Sequence, residues 1–568
     1  MSDGIIRSTD ARQAYGTFQN EQDEQNNTQS SSTNRSSQLE LLKSHELAKR
    51  NIYGWFFYSF SSEPFVVSAI ATYIPLLLEQ FARESGVQLH DHSIPCSNND
   101  DKCVLGLFNN LLYVDTSSFA LYTFSVSVFV QTIIVITVSG FVDMWKTVRI
   151  KCIMLLLFGL IGSFATIFIS QLNNTQYYML ALCCIISNSC YGVVNVVGNS
   201  LLPTFASDLV NTDIAPTNSV ANSSTSENTL PSRNIDTMTT VISGRGASLG
   251  YCAALIVQIV SMALVKKINS DRDLQIAAYF VGLWWLFWQI PMYWLMNDLP
   301  SINRNNVRSV SNFNISRKRH TWRKRISYMK YGWLSLFDAL KNARLLKDVV
   351  IFLIGWFIVS DSLTTINSTA ILFSKTELKM STVQLIIVSI LTMINAMLGA
   401  FFVPHLIATK LRIAPERMLL VIICWSSFIP FYGILGFIFQ SFGLKHQFEM
   451  YFMAIWYGIS LGSIAAVSRS VFSLIIPRGR ESTFFSLFNV TDKGSSILGP
   501  FLIGLITDKT HNIRYSFYLL FVLIMASLPI FNLLNVSRAK EEAEELRRIE
   551  LGGEISEDDP SDIPLITP

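Results

Sequence analysis

Charge is scarce in this sequence. Asp, Glu, Lys and Arg make up 15% of its 568 residues, against about 25% in ordinary soluble domains, while half of all residues are hydrophobic and the mean hydropathy is +0.36. The balance points to lipid rather than to water. A global basic excess is also missing: the net charge is +3, which leaves nothing to attract a nucleic acid. The eight cysteines include no CxxC pair and no Cys/His spacing of the zinc-finger kind, which excludes a disulfide-dense mini-protein and a zinc module. The Ser-, Gln- and Asn-rich stretch through about residue 40 lacks the short apolar core of a cleavable signal peptide, so the first apolar run is expected to stay as an anchor. No P-loop, HExxH or dinucleotide fingerprint occurs. ATP-driven work and cofactor chemistry therefore have no residues to run them, and neither an enzyme nor a cofactor is expected. Gly246-Ala247-Ser248-Leu249-Gly250 has the GxSxG spacing of a nucleophile elbow, but that device needs a strand, a sharp turn and a helix, and here the residues open an apolar run.

What is present is a series of long apolar runs. A helix needs about 20 apolar residues to cross a hydrocarbon core of about 30 Å, and twelve runs qualify, near 52–79, 118–140, 151–170, 177–203, 243–265, 275–296, 348–373, 382–403, 418–440, 448–476, 483–507 and 513–535. An even number puts both termini on one side. Sorting the 44 Lys and Arg residues by connection leaves a cationic excess on the side of the termini that survives discounting the long central loop. The positive-inside rule then places both termini in the cytosol. In this sorting Arg245 and Lys493 are the two cations inside runs.

The basic connection 298–347 divides the runs six and six, and three matches pair run n with run n+6. Gly54-Trp55-Phe56 followed by Glu63 matches Gly355-Trp356-Phe357 followed by Asp361. The end Ser200-Leu201-Leu202-Pro203 matches Ser473-Leu474-Ile475-Ile476-Pro477. Arg245-Gly246-Ala247-Ser248-Leu249-Gly250 matches Lys493-Gly494-Ser495-Ser496-Ile497-Leu498-Gly499. Two parallel-repeated six-helix halves around a midplane site are the layout of major facilitator transporters. The expected fold is thus an all-α membrane protein of twelve transmembrane helices. Its segments are a disordered cytosolic N-tail (1–50), an N-terminal half (51–297), a basic cytosolic linker (298–347), a C-terminal half (348–536) and an acidic cytosolic C-tail (537–568) that begins as a charged, solvated helix. The Ser/Thr/Asn-rich connection 204–242 has no apolar period and reads as disordered.

Glu63 and Asp361 are carboxylates inside runs one and seven; such groups are costly in lipid and face a cavity or a partner. They are candidates to bind an ammonium group or carry a proton, the alternative being a buried salt bridge. Pro64 beside Glu63 opens the helix and frees a backbone carbonyl. Arg245 and Lys493 are candidates to capture a carboxylate, the alternative for Arg245 being snorkelling to headgroups. Acidic and basic groups facing one cavity suit a zwitterion such as an amino acid. Asp143, in SGFVDMWKTVRIK, resembles the facilitator signature between helices two and three and is expected to brace a cytosolic gate with Arg149. Ser139 stands in place of the usual first Gly, and Met144 in place of the usual basic residue. On the extracytosolic side, Cys96 and Cys103 are placed to form a disulfide, whereas protonation in an acidic compartment opposes metal binding by His90 and His92. Asn173-Asn174-Thr175 is a glycosylation sequon. The basic cluster from Arg317 to Arg325 reads as a topology determinant, with anionic lipid as its other partner. Gly246 to Gly250 and Gly458 to Gly462 read as small-residue packing faces.

The stretches YGWFFYSFSSEPF, SGRGASLGY, WFIVSDSLTT and SRSVFSLIIPRGRESTFFSLFNVTDKGSSILGPFLIGLITDKT resemble the fungal autophagy-related vacuolar amino-acid effluxers, a branch of the major facilitator superfamily, over about residues 50–535. The resemblance implies a multi-pass vacuolar membrane protein that exports amino acids, leucine, isoleucine and tyrosine among them, after autophagic breakdown. It brings no substrate residues with it. The combined expectation is a secondary transporter, driven by its substrate gradient or by protons. The rival from another class is a lipid-handling or scaffold protein that moves no soluble solute.

Overall fold

The computed structural model describes residues 39–545 except 41, 89–93, 97–102, 108–111, 144–146, 174, 215–229, 269–271, 300–345, 381, 407–409, 411–412, 440, 479, 496–497, 500–501, 504–505 and 507–511. Most of the linker, the Arg317–Arg325 cluster, His90, His92, residues 1–38 of the N-tail and residues 546–568 of the C-tail lie outside it. The amino-terminal helices are α1 (Leu42–Glu84), α2 (Thr116–Asp143), α3 (Val148–Phe168), α4 (Tyr177–Ser200), α5 (Leu202–Ile214), α6 (Leu230–Ile268) and α7 (Asp273–Leu295). Beyond the linker come α8 (Lys347–Thr376), α9 (Thr382–Leu406), α10 (Pro415–Ser426), α11 (Phe428–Ile438), α12 (Gln447–Ile475), α13 (Glu481–Ser495) and α14 (Ser516–Asn532). Among the described residues, 10 helical stretches are long and apolar enough to cross a membrane, with α4–α5 and α10–α11 each counting as one. The Trp- and Tyr-rich α7 and the short described part of α13 fall outside that set.

The two groups of helices meet through α2 and α4 against α13, and through α6 against α9 and α12. Polar contacts mark one end of the bundle, where both described termini lie. Asn51 near the start of α1 exchanges hydrogen bonds with the Asn297 backbone (both 2.9 Å), and Arg538 after α14 pairs with Asp348 at the start of α8 (2.7 Å). At the opposite end β1 (Val87–Gln88), β2 (Cys103–Leu107) and β3 (Leu112–Asp115) form an antiparallel sheet with Val87 opposite Val104 and Val104 opposite Asp115. Cys96 and Cys103 are disulfide-bonded there (Cα–Cα 6.0 Å).

Two expected stretches of disorder are helical, and a helix expected to be solvated is docked. Residues 42–50 extend α1 rather than belonging to a loose N-tail. The connection 204–242 is structured in α5 and in the first turns of α6, leaving 215–229 outside the description. Its Thr and Ser residues fit a helix because they are short enough to be buried and because their hydroxyls bond back to carbonyls one turn earlier: Thr239 and Thr240 are fully buried and donate to the carbonyls of Ile235 (2.7 Å) and Asp236 (2.9 Å). The charged helix at 536–545 is docked, with Val536 and Ala539 buried. Arg538 reaches Asp348, and Lys540 Nζ reaches Asp236 Oδ1 on α6 (2.5 Å). One helix thus ties the two groups together at their common end.

Candidate functional site

Helix α1 changes its winding where chemistry is expected. Pro64 has no N–H to donate to the carbonyl four residues back, and the Phe60 carbonyl accepts instead from the Trp284 indole N–H (3.1 Å). From Phe65 to Tyr73 the chain then runs as a π-helix, a wider turn that recurs at functional positions. Glu63, Val66, Val67, Ala71 and Thr72 line the central cavity along this stretch.

That cavity holds about 640 Å³ and is lined from both groups of helices. The amino-terminal side gives, besides α1, Tyr191, Asn195 and Asn199 of α4 and Gln258 of α6. Tyr191, Asn195 and Asn199 recur at i, i+4, i+8 on one helix face, joined by bonds from Asn199 Nδ2 to Asn195 Oδ1 (2.9 Å) and from Asn195 Nδ2 to the Tyr191 hydroxyl (3.2 Å). The carboxyl-terminal side gives Ser360 and Asn367 of α8, Tyr457 and Arg469 of α12, and Asn489, Asp492 and Lys493 of α13. Its apolar lining includes Leu363, Met393, Leu461 and Ile464.

At the termini end the two groups are sealed below this cavity. Ser243 Oγ donates to the Ala466 carbonyl (2.7 Å), and the Thr240 and Ser470 hydroxyls are 2.8 Å apart. The lining runs from mid-bundle towards the other end, where Ser374, Leu385, Pro430 and Met450 belong to it.

Two of the four expected binding residues meet in the cavity, Glu63 and Lys493, and two do not. Asp361, matched with Glu63 in the sequence, is buried outside the lining, where its Oδ1 accepts from the Gly499 N–H (2.9 Å). Arg245 is exposed and also outside the lining. Lys493 pairs with the adjacent Asp492 (3.5 Å), whose Oδ1 also accepts from Ser360 Oγ (2.7 Å). Arg469 is the residue that sequence reasoning misses. Sorting charges by connection counts it with the cations after run ten, although it stands within α12. The signal was its position inside run 448–476. Arg469 and Lys493 are cations that line the cavity together with Glu63.

Asp143, expected to brace a gate with Arg149, has other partners. Its two oxygens accept from the N–H groups of Ser482 (2.9 Å) and Thr483 (2.7 Å) at the start of α13, N–H groups that a helix leaves without internal partners. Lys151 reinforces the junction by facing Glu481 (3.8 Å). Arg149 turns away to α7: it donates to the Tyr293 hydroxyl (2.7 Å) and to Asn297 Oδ1 (3.2 Å) and lies over the Tyr293 ring. The reason is placement, since Arg149 faces α7 on one side of α3 while Lys151, two residues on, faces α13. Asn173 is exposed, and its Oδ1 accepts from Arg272 (3.5 Å).

The glycine spacings are packing faces. A Cβ on Gly246 would collide with the Trp55 ring, and one on Gly462 with the Ala396 backbone. Among the described residues no cluster of His, Cys, Asp and Glu could hold a metal ion.

Comparison with known proteins places this geometry. The family described as "Vacuole effluxer Atg22 like" matches residues 47–544. The chain is 63% identical over 512 residues to Autophagy-related protein 22 of Vanderwaltozyma polyspora, covering 90% of this chain and 96% of that one. To Autophagy-related protein 22 of Saccharomyces cerevisiae it is 58% identical over 514 residues, covering 88% and 94%. Among solved structures it resembles the proton:xylose symporter XylE, a major facilitator protein (TM-score 0.55, 11% identity, 88% and 98% covered). It also resembles the human organic anion transporter MFSD10 (TM-score 0.54, 10% identity, 86% and 99% covered). At such identities the likeness concerns the fold, which is that of the major facilitator transporters.

Proposed function

Because this chain belongs to the vacuole effluxer Atg22-like family, we propose that it moves amino acids of the leucine, isoleucine and tyrosine class from the vacuole lumen to the cytosol by alternating access. It is a membrane transporter, not an enzyme. In this reading the chain crosses the membrane twelve times, six on each side of the linker, with α7 and the helix that begins as α13 added to the ten apolar helices. Both termini face the cytosol, as the distribution of Lys and Arg favours, and the disulfide-bonded sheet and the Asn173 sequon face the lumen. The observation that carries the reading is the cavity of about 640 Å³ between the two groups, which holds Glu63, Arg469, Asp492 and Lys493 and extends away from the sealed termini end. Charges of both signs there suit a zwitterion, and a lipid-facing surface has little use for them. In this reading Glu63, in the cavity lining, faces an ammonium group or carries a coupling proton.

The test is counterflow of radiolabelled leucine in proteoliposomes, with and without an imposed pH gradient. Unlabelled leucine inside should accelerate uptake. Absence of counterflow for leucine, isoleucine and tyrosine in folded protein would overturn the amino-acid reading and favour the lipid-handling or scaffold one.

A further inference from the structure

The ionised groups in and around the cavity divide into those that protein atoms satisfy and those that they do not. Asp361 is taken up by the Gly499 N–H, Asp492 by Ser360 and Lys493, and Lys493 by Asp492. Asp143 holds the start of α13, and Lys151 faces Glu481. Two groups are left. Among the described residues, neither Glu63 nor Arg469 has an ion pair or a side-chain hydrogen bond, and Arg469 Nη1 is a buried nitrogen with no partner. Both line the cavity, Glu63 from α1 and Arg469 from α12.

Leaving a charged donor buried and unpaired is costly, and a guanidinium offers five N–H groups in a planar fork that matches a carboxylate. We infer that Arg469 is the anchor for the substrate's α-carboxylate, with Glu63 facing its α-ammonium group from the other group of helices. The inference rests on the proposed amino-acid transport and adds to it which cation reads the carboxylate. Lys493, the sequence-level candidate, is the weaker anchor because its ammonium already has Asp492. The side chain of the amino acid then lies along Leu363, Met393, Leu461 and Ile464. A ligand held in this way contacts both groups at once, Arg469 through one end and Glu63 through the other. An amino-acid amide offers Arg469 only a neutral carbonyl, and an N-acyl amino acid offers Glu63 no positive charge.

The experiment is competition by leucine, leucinamide and N-acetyl-leucine against labelled leucine counterflow in proteoliposomes of the full chain, for wild type, Arg469→Lys, Arg469→Gln and Lys493→Gln. Wild type should prefer leucine to either analogue by 10-fold or more. Arg469→Gln should weaken leucine about 10–100-fold, the loss of a charge-assisted pair, and leave leucinamide nearly unchanged, so that the preference collapses. Arg469→Lys should keep part of it, and Lys493→Gln should keep it whole. Binding shifts in melting temperature with the same three ligands supply the reading where a variant no longer turns over. Wild-type counterflow with an unchanged leucine-to-leucinamide ratio in Arg469→Gln would overturn the anchor and leave the transport reading standing. A collapse in Lys493→Gln instead would move the anchor to Lys493. No wild-type counterflow would overturn both readings.

Discussion

Asp143→Asn is the substitution whose effect follows most directly from the geometry of the gate. Asp143 is 7% exposed, and it accepts one backbone N–H on each oxygen, from Ser482 at 2.9 Å and Thr483 at 2.7 Å. The bonds join α2 to the start of α13, so they exist only while the two groups are together at the termini end. Hydrogen bonds to a charged acceptor contribute about 1.5–3 kcal/mol each, and a negative charge at a helix N-terminus adds about 0.3–1 kcal/mol. Asparagine keeps one acceptor oxygen but turns an NH2 towards the second N–H, losing one bond and the charge. The expected weakening of the closed junction is about 2 kcal/mol, or roughly a 30-fold rise in the share of molecules open at that end. Ser139, one turn back along α2 and buried, is the reporter. A Ser139→Cys chain should react with an impermeant maleimide presented at the termini side about 30-fold faster when Asp143→Asn is added, relative to parents lacking the new cysteine. An unchanged labelling rate in folded protein would refute the assignment of Asp143 as a brace between the two groups.

Asp361→Asn should preserve counterflow, because the amide oxygen still accepts from the Gly499 N–H; Asp361→Leu should instead lower the yield of folded protein, and transport lost in Asp361→Asn at normal abundance would return Asp361 to the site. Gly246→Leu drives a side chain into the Trp55 ring while the indole N–H is held by the Gly198 carbonyl (2.8 Å), so overpacking of about 1–3 kcal/mol should appear as a lower melting temperature. Asp348 is fully buried and accepts from the Asn535 N–H and two Arg538 nitrogens, at 2.9, 2.7 and 2.7 Å. Asp348→Asn should therefore speed hydrogen exchange across 536–545 at least 10-fold, and unchanged exchange would mean that this helix is held by Val536 and Ala539 alone.

Apolar runs are legible because the hydrocarbon core imposes their length, and the facilitator fold that they suggest is the one the solved structures share. Orientation around each helix axis is less legible. The repeat pairs Glu63 with Asp361, yet Glu63 enters the cavity and Asp361 turns to Gly499. Around Asp361 the polar residues Ser360, Ser362, Thr364, Thr365, Asn367 and Ser368 fall on several sides of α8, so no single stripe marks which face is inward, and the π-helix after Pro64 shifts the register of α1 in a way that a period of 3.6 does not carry. Asp143 was readable from its local signature, but its partners lie 339 and 340 positions away, and local reading gave it Arg149 instead. The polar stretch around 204–242 was misread for a different reason: Ser and Thr lower mean hydropathy, but inside a helix they satisfy themselves and can be buried between neighbours.

That last property bears on how such a protein could alternate. The polar contacts of the seam between the groups at the termini end are Ser243 on a carbonyl, Thr240 on Ser470, Asp143 on backbone N–H groups, and salt contacts of Lys151 and Lys540, and its apolar contacts are mostly small, Ala247 and Tyr251 packing with Ala396, Ala400 and Ala466. Gly244 lies against the Ala400 carbonyl in the same seam. Neutral hydrogen bonds contribute about 0.5–1.5 kcal/mol net and those to charged groups about 1.5–3 kcal/mol, since water replaces them on opening. A seam of large apolar side chains would instead lose roughly 1.5–3 kcal/mol for each one exposed. Reversing a two-state population from 1:99 to 99:1 takes about 5.5 kcal/mol of differential binding. These exchangeable polar contacts keep the difference between the two states on the order of that figure, whereas each large apolar side chain added to the seam would raise it. The small and hydroxylated residues of α6, which made its sequence look unstructured, thus suit a junction that closes and reopens in the proposed transport cycle.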